Sequence, residues 1–261
     1  MNNLKQIKEL AVKAALKAGK YALSRIDNIQ KISFKGSFNN LVTDVDKKCE
    51  EIVIDMVKSV FSDHSIFAEE SGEIKGKDEI CWIIDPLDGT TNYAHGFPVF
   101  CVSIGVLIDG EIKVGVVYDP SRDELFVAEK DQGAFLNDQR ISVSKRKHLE
   151  KSLMSTGFAY NLDNKISNLE NLKAMMCKVQ AVRRPGSAAI DLCYVACGRF
   201  DGFWEFGLYP WDTAAGHLMI SEAGGKTTLV DGKNFDIFEK SIIASNGLIH
   251  QEMIDTIIDI E

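Results

Sequence analysis

The chain of 261 residues contains no CxxC pair and no cluster of cysteine with histidine. Its six cysteines (Cys49, Cys81, Cys101, Cys177, Cys193 and Cys197) are scattered, which argues against a structural zinc site. Cys193 and Cys197 stand four apart, share a helix face, and read as two small core residues. No apolar run reaches the ~18 residues that a membrane-spanning helix needs. The N-terminal stretch MNNLKQIKELAVKAALKAG is dotted with lysine and lacks the continuous apolar region of a signal peptide. A cytoplasmic location with reduced thiols is the expectation that follows. Positive charge is in deficit, 30 Lys and Arg against 38 Asp and Glu, for a net charge of −8. Such a field repels polyanions, so direct nucleic-acid binding is not expected. A small anionic substrate is still compatible with it, provided that something local reverses the field. There is no low-complexity linker and no clean internal repeat.

What the chain does have is ordinary apolar content, 45%, arranged with clear periodicity. Leu4, Ile7, Leu10, Ala11, Ala14, Ala15, Ala18 and Ala22 follow helical spacing, with Gly19 placed to loosen the end. A second helix is predicted after Thr43 or Asp44, from Val45, Cys49, Ile52, Val53, Met56, Val57 and Val60. Between them, KISFKGSFNNLV reads as a short hairpin or loop. CWIID reads as a buried strand. VFCVSIGVLI and IKVGVVYD form two strands joined through Asp109-Gly110, a strong hairpin signal, and ELFVAE and GAFLN continue them. Beyond about residue 150, strands (LMSTGF, VQAVRR, FDGFWEF, GKTTLV, SIIAS) mix with helices near 167–178, 187–197 and 212–222, and a final helix. Two α/β halves, 1–150 and 151–261, packed as layers in one domain fit this order.

Four short stretches hold the acids that point to chemistry. LVTDVD carries Asp44 and Asp46, FAEES carries Glu69 and Glu70, WIIDPLDGTTN carries Asp85 and Asp88, and PWDTAAGHLMISEAGG carries Asp212. In the third, an apolar strand ends at Asp85, and Pro86 denies the ladder a donor and should force the chain out of the sheet. Gly89 lets the backbone approach a ligand closely. Thr90 to Asn92 open a short helix whose free N–H groups suit a phosphate. Taken singly, each acid has a plainer reading: Asp88-Gly89 as a turn, Glu69 as a solvated acid, Asp212 as a helix N-cap. Asp85 resists it, because a carboxylate closing a buried strand needs a partner. If the acids meet in space, each like-charge pair at ~4 Å costs roughly 4 kcal/mol at an effective dielectric of ~20. Cations are then required, and an all-oxygen donor set selects Mg²⁺ before Zn²⁺. His95, read as a turn residue, and His217, read as a helix residue, stay outside the set.

EES, DPLDGTTN, and WDTAAG followed by EAGG resemble, in order and separation, the signatures of the inositol monophosphatase family, and RRPGSAAIDLCYVACGRFDGFWE resembles its bacterial members. The resemblance runs from about Leu4 to the C-terminus. It implies an α/β fold of the αβαβα layered-sandwich type, shared with fructose-1,6-bisphosphatases. It also implies a Mg²⁺-dependent phosphatase, with two to three ions per site, acting on a small phosphate monoester such as myo-inositol 1-phosphate. Carried over by motif, Glu69, Asp85 and the Leu87 carbonyl would hold one Mg²⁺. Asp85, Asp88 and Asp212 would hold a second, and Glu69 would touch a weaker third. Gly89 and Thr90 would donate N–H groups to the phosphate. Thr90 and Asp46 would orient or deprotonate the attacking water. Ala188 and Glu205 would contact hydroxyls of the alcohol. Ala68 stands where a glycine often precedes the two glutamates, and Tyr93 where phenylalanine is common; neither removes a ligand.

By the same resemblance, Li⁺ should inhibit, Ca²⁺ should fail to support turnover, and the chain should form a homodimer through the region around 150–190. Related phosphatases acting on fructose-1,6-bisphosphate, NADP(H) or 3′-phosphonucleotides share the metal site. The chain lacks the larger insertions of the nucleotide-specific relatives, which favours a sugar-alcohol phosphate. Some bacterial relatives act with the transcription machinery, so an interaction protein retaining the site is a reading from another class. Arg183 and Arg184 fit either a partner contact or a solvated pair at a strand end.

Overall fold

The structure, a computed structural model, describes residues 2–27, 32–34, 41–158 and 162–257, with side chains of 162–167 excepted. Residues 35–40, within the predicted hairpin or loop, lie outside the described residues. On either side of them run β1 (Ile32–Phe34) and β2 (Leu41–Thr43), an antiparallel pair. The two predicted N-terminal helices are α1 (Asn2–Arg25) and α2 (Asp44–Val60). Thr43 caps α2: its hydroxyl accepts from the N–H groups of Val45 and Asp46, while Asp46 accepts from the Thr43 N–H. Gly19 does not loosen α1. It lies within the helix, where a Cβ would come within 2.5 Å of the Tyr118 ring, so its role is close packing on the sheet.

The first sheet has eight strands. They are β3 (Ser65–Ala68), β4 (Gly72–Ile74), β5 (Cys81–Asp88), β6 (Cys101–Ile108), β7 (Glu111–Asp119), β8 (Glu124–Glu129), β9 (Gly133–Leu136) and β10 (Gln139–Arg140). Their spatial order is β10-β9-β8-β7-β6-β5-β3-β4, antiparallel except for the parallel pair β3 and β5. Asp109 and Gly110 both take positive φ, 52° and 77°, as the turn between β6 and β7 requires. A short helix, α3 (Thr90–Ala94), follows β5. The second half supplies β11 (Leu153–Thr156), α4 (Leu162–Met176), β12 (Ala181–Arg183), α5 (Ala188–Ala196), β13 (Gly202–Phe206), α6 (Pro210–Glu222), β14 (Lys226–Thr228), β15 (Ser241–Ser245) and α7 (His250–Ile254). Its five strands run β12-β11-β13-β15-β14, with β11 parallel to both neighbours.

The buried side chains sort into three cores that stack these elements. Alternate residues of β6 and β7 (Val102, Ile104, Val114, Val116) face Ile7, Ala11, Val45 and Val53 of α1 and α2. The opposite face, with Ile83, Cys101 and Val117, meets Ala189, Leu192, Ala215 and Leu218 of α5 and α6, and so do Phe203, Ile242 and Ala244 of the second sheet. The far side of that sheet, Met154, Trp204 and Ile243, is covered by Met175 from α4 and Met253 from α7. The result is an αβαβα layered sandwich. Both sheets are buried on both faces, which is why their strands read as continuous apolar runs. Cys193 belongs to the central core and Cys197 packs against it, as two small core residues. Among the described residues no helix is long and apolar enough to cross a membrane.

Helix α6 lies unusually close to the first sheet. A Cβ on Gly105 would come within 2.8 Å of the Ala214 side chain, and one on Gly115 within 2.8 Å of the Ala215 carbonyl oxygen. These small residues bring the start of α6 down onto the ends of β5 and β6, where the Ser103 hydroxyl donates to the Trp211 carbonyl at 3.3 Å. Gly115→Ala should therefore destabilise the fold by about 1–3 kcal/mol through overpacking, although Gly→Ala in an open strand stabilises the chain. Urea denaturation of both proteins tests this; a variant as stable as the parent means that the close approach is not needed.

Candidate active site

The end of β5 builds the centre of the site. Asp85 pairs with Ser103 and Asp88 with Cys101, so three steps on β5 oppose two on β6. The chain does not leave the sheet at Pro86, as the sequence suggested. It bulges there, which absorbs the missing donor, and the ladder resumes at Asp88. The bulge re-aims Asp85 inward; its Oδ1 accepts from the Leu87 N–H at 3.0 Å. Glu69 follows β3, the parallel neighbour, and its N–H donates to the Ile84 carbonyl at 3.1 Å. The two chain segments therefore end side by side.

Gly89 takes φ 96° as the residue before α3. A Cβ there would meet the Val99 carbonyl oxygen at 2.7 Å. The close approach that demands glycine is thus to the protein's own backbone, and the first N–H groups of α3 open beyond it. The Thr90 hydroxyl is within hydrogen-bond reach of Asp46 Oδ1 (2.8 Å) and the Leu87 carbonyl (3.0 Å). Asp46, held also by Thr43, has its pKa raised by burial, with those hydrogen bonds opposing.

Asp212 is not the N-cap of α6. Tyr209 takes that place, Pro210 opens the helix, and Asp212 stands three residues in, accepting from the Tyr209 N–H at 2.7 Å. That position points its carboxylate back towards the end of β5. Burial raises the pKa of Asp85, and the charges of Glu69, Asp88 and Asp212 raise it further. Burial lifts Asp88 to about 6, against the hydrogen bonds from Ser187 and Ala189. Asp212 is raised by burial and then by Asp88. The acids surround Asp85 without closing on it: among the described residues no three acidic, His or Cys side chains form a ready-made metal cage. No cation is prominent among the groups acting on Asp85. A hard divalent ion fits this donor set, which is carboxylate oxygen with the Leu87 carbonyl alongside and no sulfur or imidazole. His217 faces away and bonds Thr227 at 2.7 Å.

Glu205 on β13, expected to contact the alcohol, is buried and its pKa rises to about 8, through burial first and Asp88 second, with Arg184 opposing. A Cβ on Gly157 would fall 2.0 Å from Glu205 Oε2, so glycine makes room for this carboxylate. Ala188 opens α5 next to it.

The model of the "Inositol monophosphatase family" matches residues 3–260. The chain belongs to the inositol monophosphatase family. It is 48% identical over 250 residues to the inositol-1-monophosphatase of Synechocystis sp., covering 94% of this chain and 86% of the relative. It is 45% identical over 241 residues to the Nus factor SuhB of Vibrio cholerae, covering 91% of this chain and 90% of that one. The crystal structure of the extragenic suppressor protein suhB of Bartonella henselae superposes with a TM-score of 0.92 at 42% identity, covering 97% of this chain and 98% of the other.

Several residues around these acids were not predicted from the sequence. Ser187 and the Ala189 N–H both bind Asp88 Oδ2, at 2.7 Å each. Glu50 is buried in α2 and accepts from the backbone N–H of Glu70 at 2.9 Å. Asp191 is buried on α5 with Oδ1 unpartnered, its pKa raised by burial, Glu205 and Asp88. The signal for it was an acid alone in an apolar helix, AAIDLCYVA. Arg184, read as a partner contact or a solvated charge, is exposed, and its charge partly opposes the raised pKa of Asp191 and Glu205. Tyr93 keeps its hydroxyl for the Ala22 carbonyl, at 2.8 Å.

These raised acids make a pH prediction. Asp88 and Glu205 start from ordinary values of 3.8 and 4.5 and hold their protons to about 6 and about 8 in the fold. The folded state thus binds more protons than the unfolded one between pH ~4 and ~8, and stability falls as pH rises through that window. In EDTA the melting temperature should drop from pH 5.5 to pH 8.5. Saturating Mg²⁺ should reduce the drop, since an ion bound only to the folded state adds most when the acids are ionised. A flat profile in EDTA would contradict the burial of these charges.

Proposed function

We propose that this protein is a Mg²⁺-dependent phosphatase that hydrolyses a small sugar-alcohol phosphate, myo-inositol 1-phosphate above others. The observation that carries the reading is the meeting of Glu69, Asp88 and Asp212 with the buried carboxylate of Asp85, the four acids coming from three separate stretches of sequence. Glu69, Asp85, Asp88, Asp212 and the Leu87 carbonyl would hold two to three Mg²⁺ ions. Bound there, they supply Lewis-acid neutralisation of the phosphate and acidify water. The N–H groups of Gly89 and Thr90, at the start of α3, take phosphate oxygens. Thr90 Oγ passes its proton to Asp46 Oδ1 and accepts one from the attacking water, whose oxygen forms the new bond to phosphorus as the ester P–O bond breaks; the departing alkoxide takes a proton from solvent water, and the resulting hydroxide is neutralised by the proton that Asp46 releases. Burial makes Asp46 a stronger base than a surface aspartate. Glu205 and the Ala188 turn take the alcohol's hydroxyls, and Arg184 keeps Glu205 ionisable. No covalent intermediate is needed; positioning and electrostatics supply the rate.

The name of the Synechocystis relative supports inositol phosphate as substrate. The name of the Vibrio relative favours a second reading, a partner role retained beside catalysis. A homodimer fits the exposed Leu169 and Met176 of α4, which lie in the region expected to pair.

The test is phosphate release from a panel (inositol 1-phosphate, fructose-1,6-bisphosphate, NADP, a 3′-phosphonucleotide and an aryl phosphate), with and without EDTA, on the parent and on Glu205→Gln. Turnover should vanish on chelation and return with Mg²⁺. Assayed above pH 8, where Glu205 is ionised, the variant should lose about tenfold or more in kcat/KM on inositol 1-phosphate, as befits a lost charge-assisted hydrogen bond of roughly 1.5–3 kcal/mol, and little on the aryl ester. Full turnover in EDTA contradicts the metal chemistry; equal losses on both esters place Glu205 with the metal instead.

A further inference from the structure

Asp88 is held by a segment a hundred residues away. Its Oδ2 accepts from the Ser187 hydroxyl and the Ala189 N–H, each at 2.7 Å, and the Ala188 N–H is turned towards the same carboxylate. All three donors belong to the cap and first turn of α5, a nine-residue helix with Ser187 as N-cap. A second tie joins the same two segments. Asn92 Nδ2, four residues after Asp88, reaches the carbonyls of Pro185 at 2.9 Å and Gly186 at 3.3 Å, as well as that of Val99 at 2.8 Å. Gly186 takes φ 91°, and a Cβ on it would sit 3.1 Å from the Asn92 amide. The segment Pro185–Ala189 is thus clamped onto the metal and phosphate turn at both ends.

We infer that Ser187 is a positioning residue for the metal site: with the first turn of α5 it fixes Asp88 Oδ2, so that only Oδ1 is presented to a cation. This rests on the reading of Asp88 as a Mg²⁺ ligand. A carboxylate with both oxygens free can rotate and chelate in several ways. One whose second oxygen takes two or more donors has a single orientation, and groups that orient ligands in this way typically govern metal affinity by 10–100-fold. The plainer alternative is that Ser187 only caps α5. Its hydroxyl oxygen does accept from the Ile190 N–H, but at 3.4 Å, against 2.7 Å for its own donation to Asp88. The shorter bond is the one that a cap does not require. The same turn carries Ala188, the proposed hydroxyl contact, so the alcohol and the cation meet the protein through one rigid element.

Glycine caps helices nearly as well as serine, so Ser187→Gly separates the two roles, and Ser187→Thr restores the hydroxyl. Mg²⁺ binding to the full chain is measured by calorimetry, beside melting in EDTA. Ser187→Gly should melt close to the parent in EDTA, yet weaken at least one Mg²⁺ binding step by about tenfold or more, with the Mg²⁺ needed for half-maximal turnover rising in parallel. Ser187→Thr should bind like the parent. Unchanged Mg²⁺ affinity in Ser187→Gly overturns the inference. If that variant does not fold, Ser187→Cys, similar in size but a weak donor, takes its place with the same weakening expected and the same contrary result. A parent protein that takes up no Mg²⁺ contradicts the metal reading itself, and this inference with it.

Discussion

Asp85 is carried into the interior by a strand that is apolar on both faces, and it arrives where three other acids converge. Water would normally screen such a group; here burial and like charge act in the same direction, and both raise its pKa. Nothing in the hydrophobic packing relieves this. The packing imposes it, because the glycines of β6 and β7 draw α6 down until Asp212 faces Asp88. Stability and the proposed function therefore pull against each other at one point, and a divalent cation bound there would reconcile them. The unfavourable charge is concentrated where chemistry needs it, while the three cores carry the fold.

Helix α5 relates these parts to one another. Its inner side is packed with Ala189, Leu192 and Cys193 in the central core, and its N-terminus meets the carboxylate of Asp88. The positive end of a helix is a natural partner for an anion. Here the anion is a side chain whose other oxygen stays available. Arg184, just before that turn, is exposed, and its charge partly offsets the raised pKa of Glu205 and Asp191. Around Asp85 no cation is prominent, and under the proposed function bound metal would take that part.

Much of the fold was legible because burial writes itself as periodicity. The α1 and α2 stripes, the Asp109-Gly110 hairpin and the strands of both sheets follow directly from it. The short strands β3, β4 and β10 were not read, since each is two to four residues long and too brief to show a pattern. The candidate ligand acids could be picked out because each sits in a compact stretch with turn residues beside it, and because those stretches resemble a known family. What the sequence hid were relations across distance. That Gly89 yields to the Val99 backbone and that Ser187 belongs to Asp88 depend on contacts spanning ten to a hundred residues, and Asp212 is placed by where the helix starts, at Tyr209. Glu50 looks like an ordinary helix acid until its burial is known, whereas Asp191 carried a signal in its apolar helix that was passed over. Pro86 misled for a related reason: a missing donor can end a strand or be absorbed by a bulge, and only the partner strand decides which.

The most direct measurement concerns Asp212→Asn, taken twice on one sample: melting temperature in EDTA, and kcat at saturating Mg²⁺. Asparagine still accepts from the Tyr209 N–H but removes one of the charges facing Asp85. Melting in EDTA should stay level or rise, as repulsion falls. Turnover should fall by roughly 10²–10³-fold, the size of effect seen when one preorganised electrostatic group is lost. A variant that melts normally and turns over near the parent rate would show that Asp212 serves only the start of its helix, and that the acids gathered at the end of β5 are not a metal site.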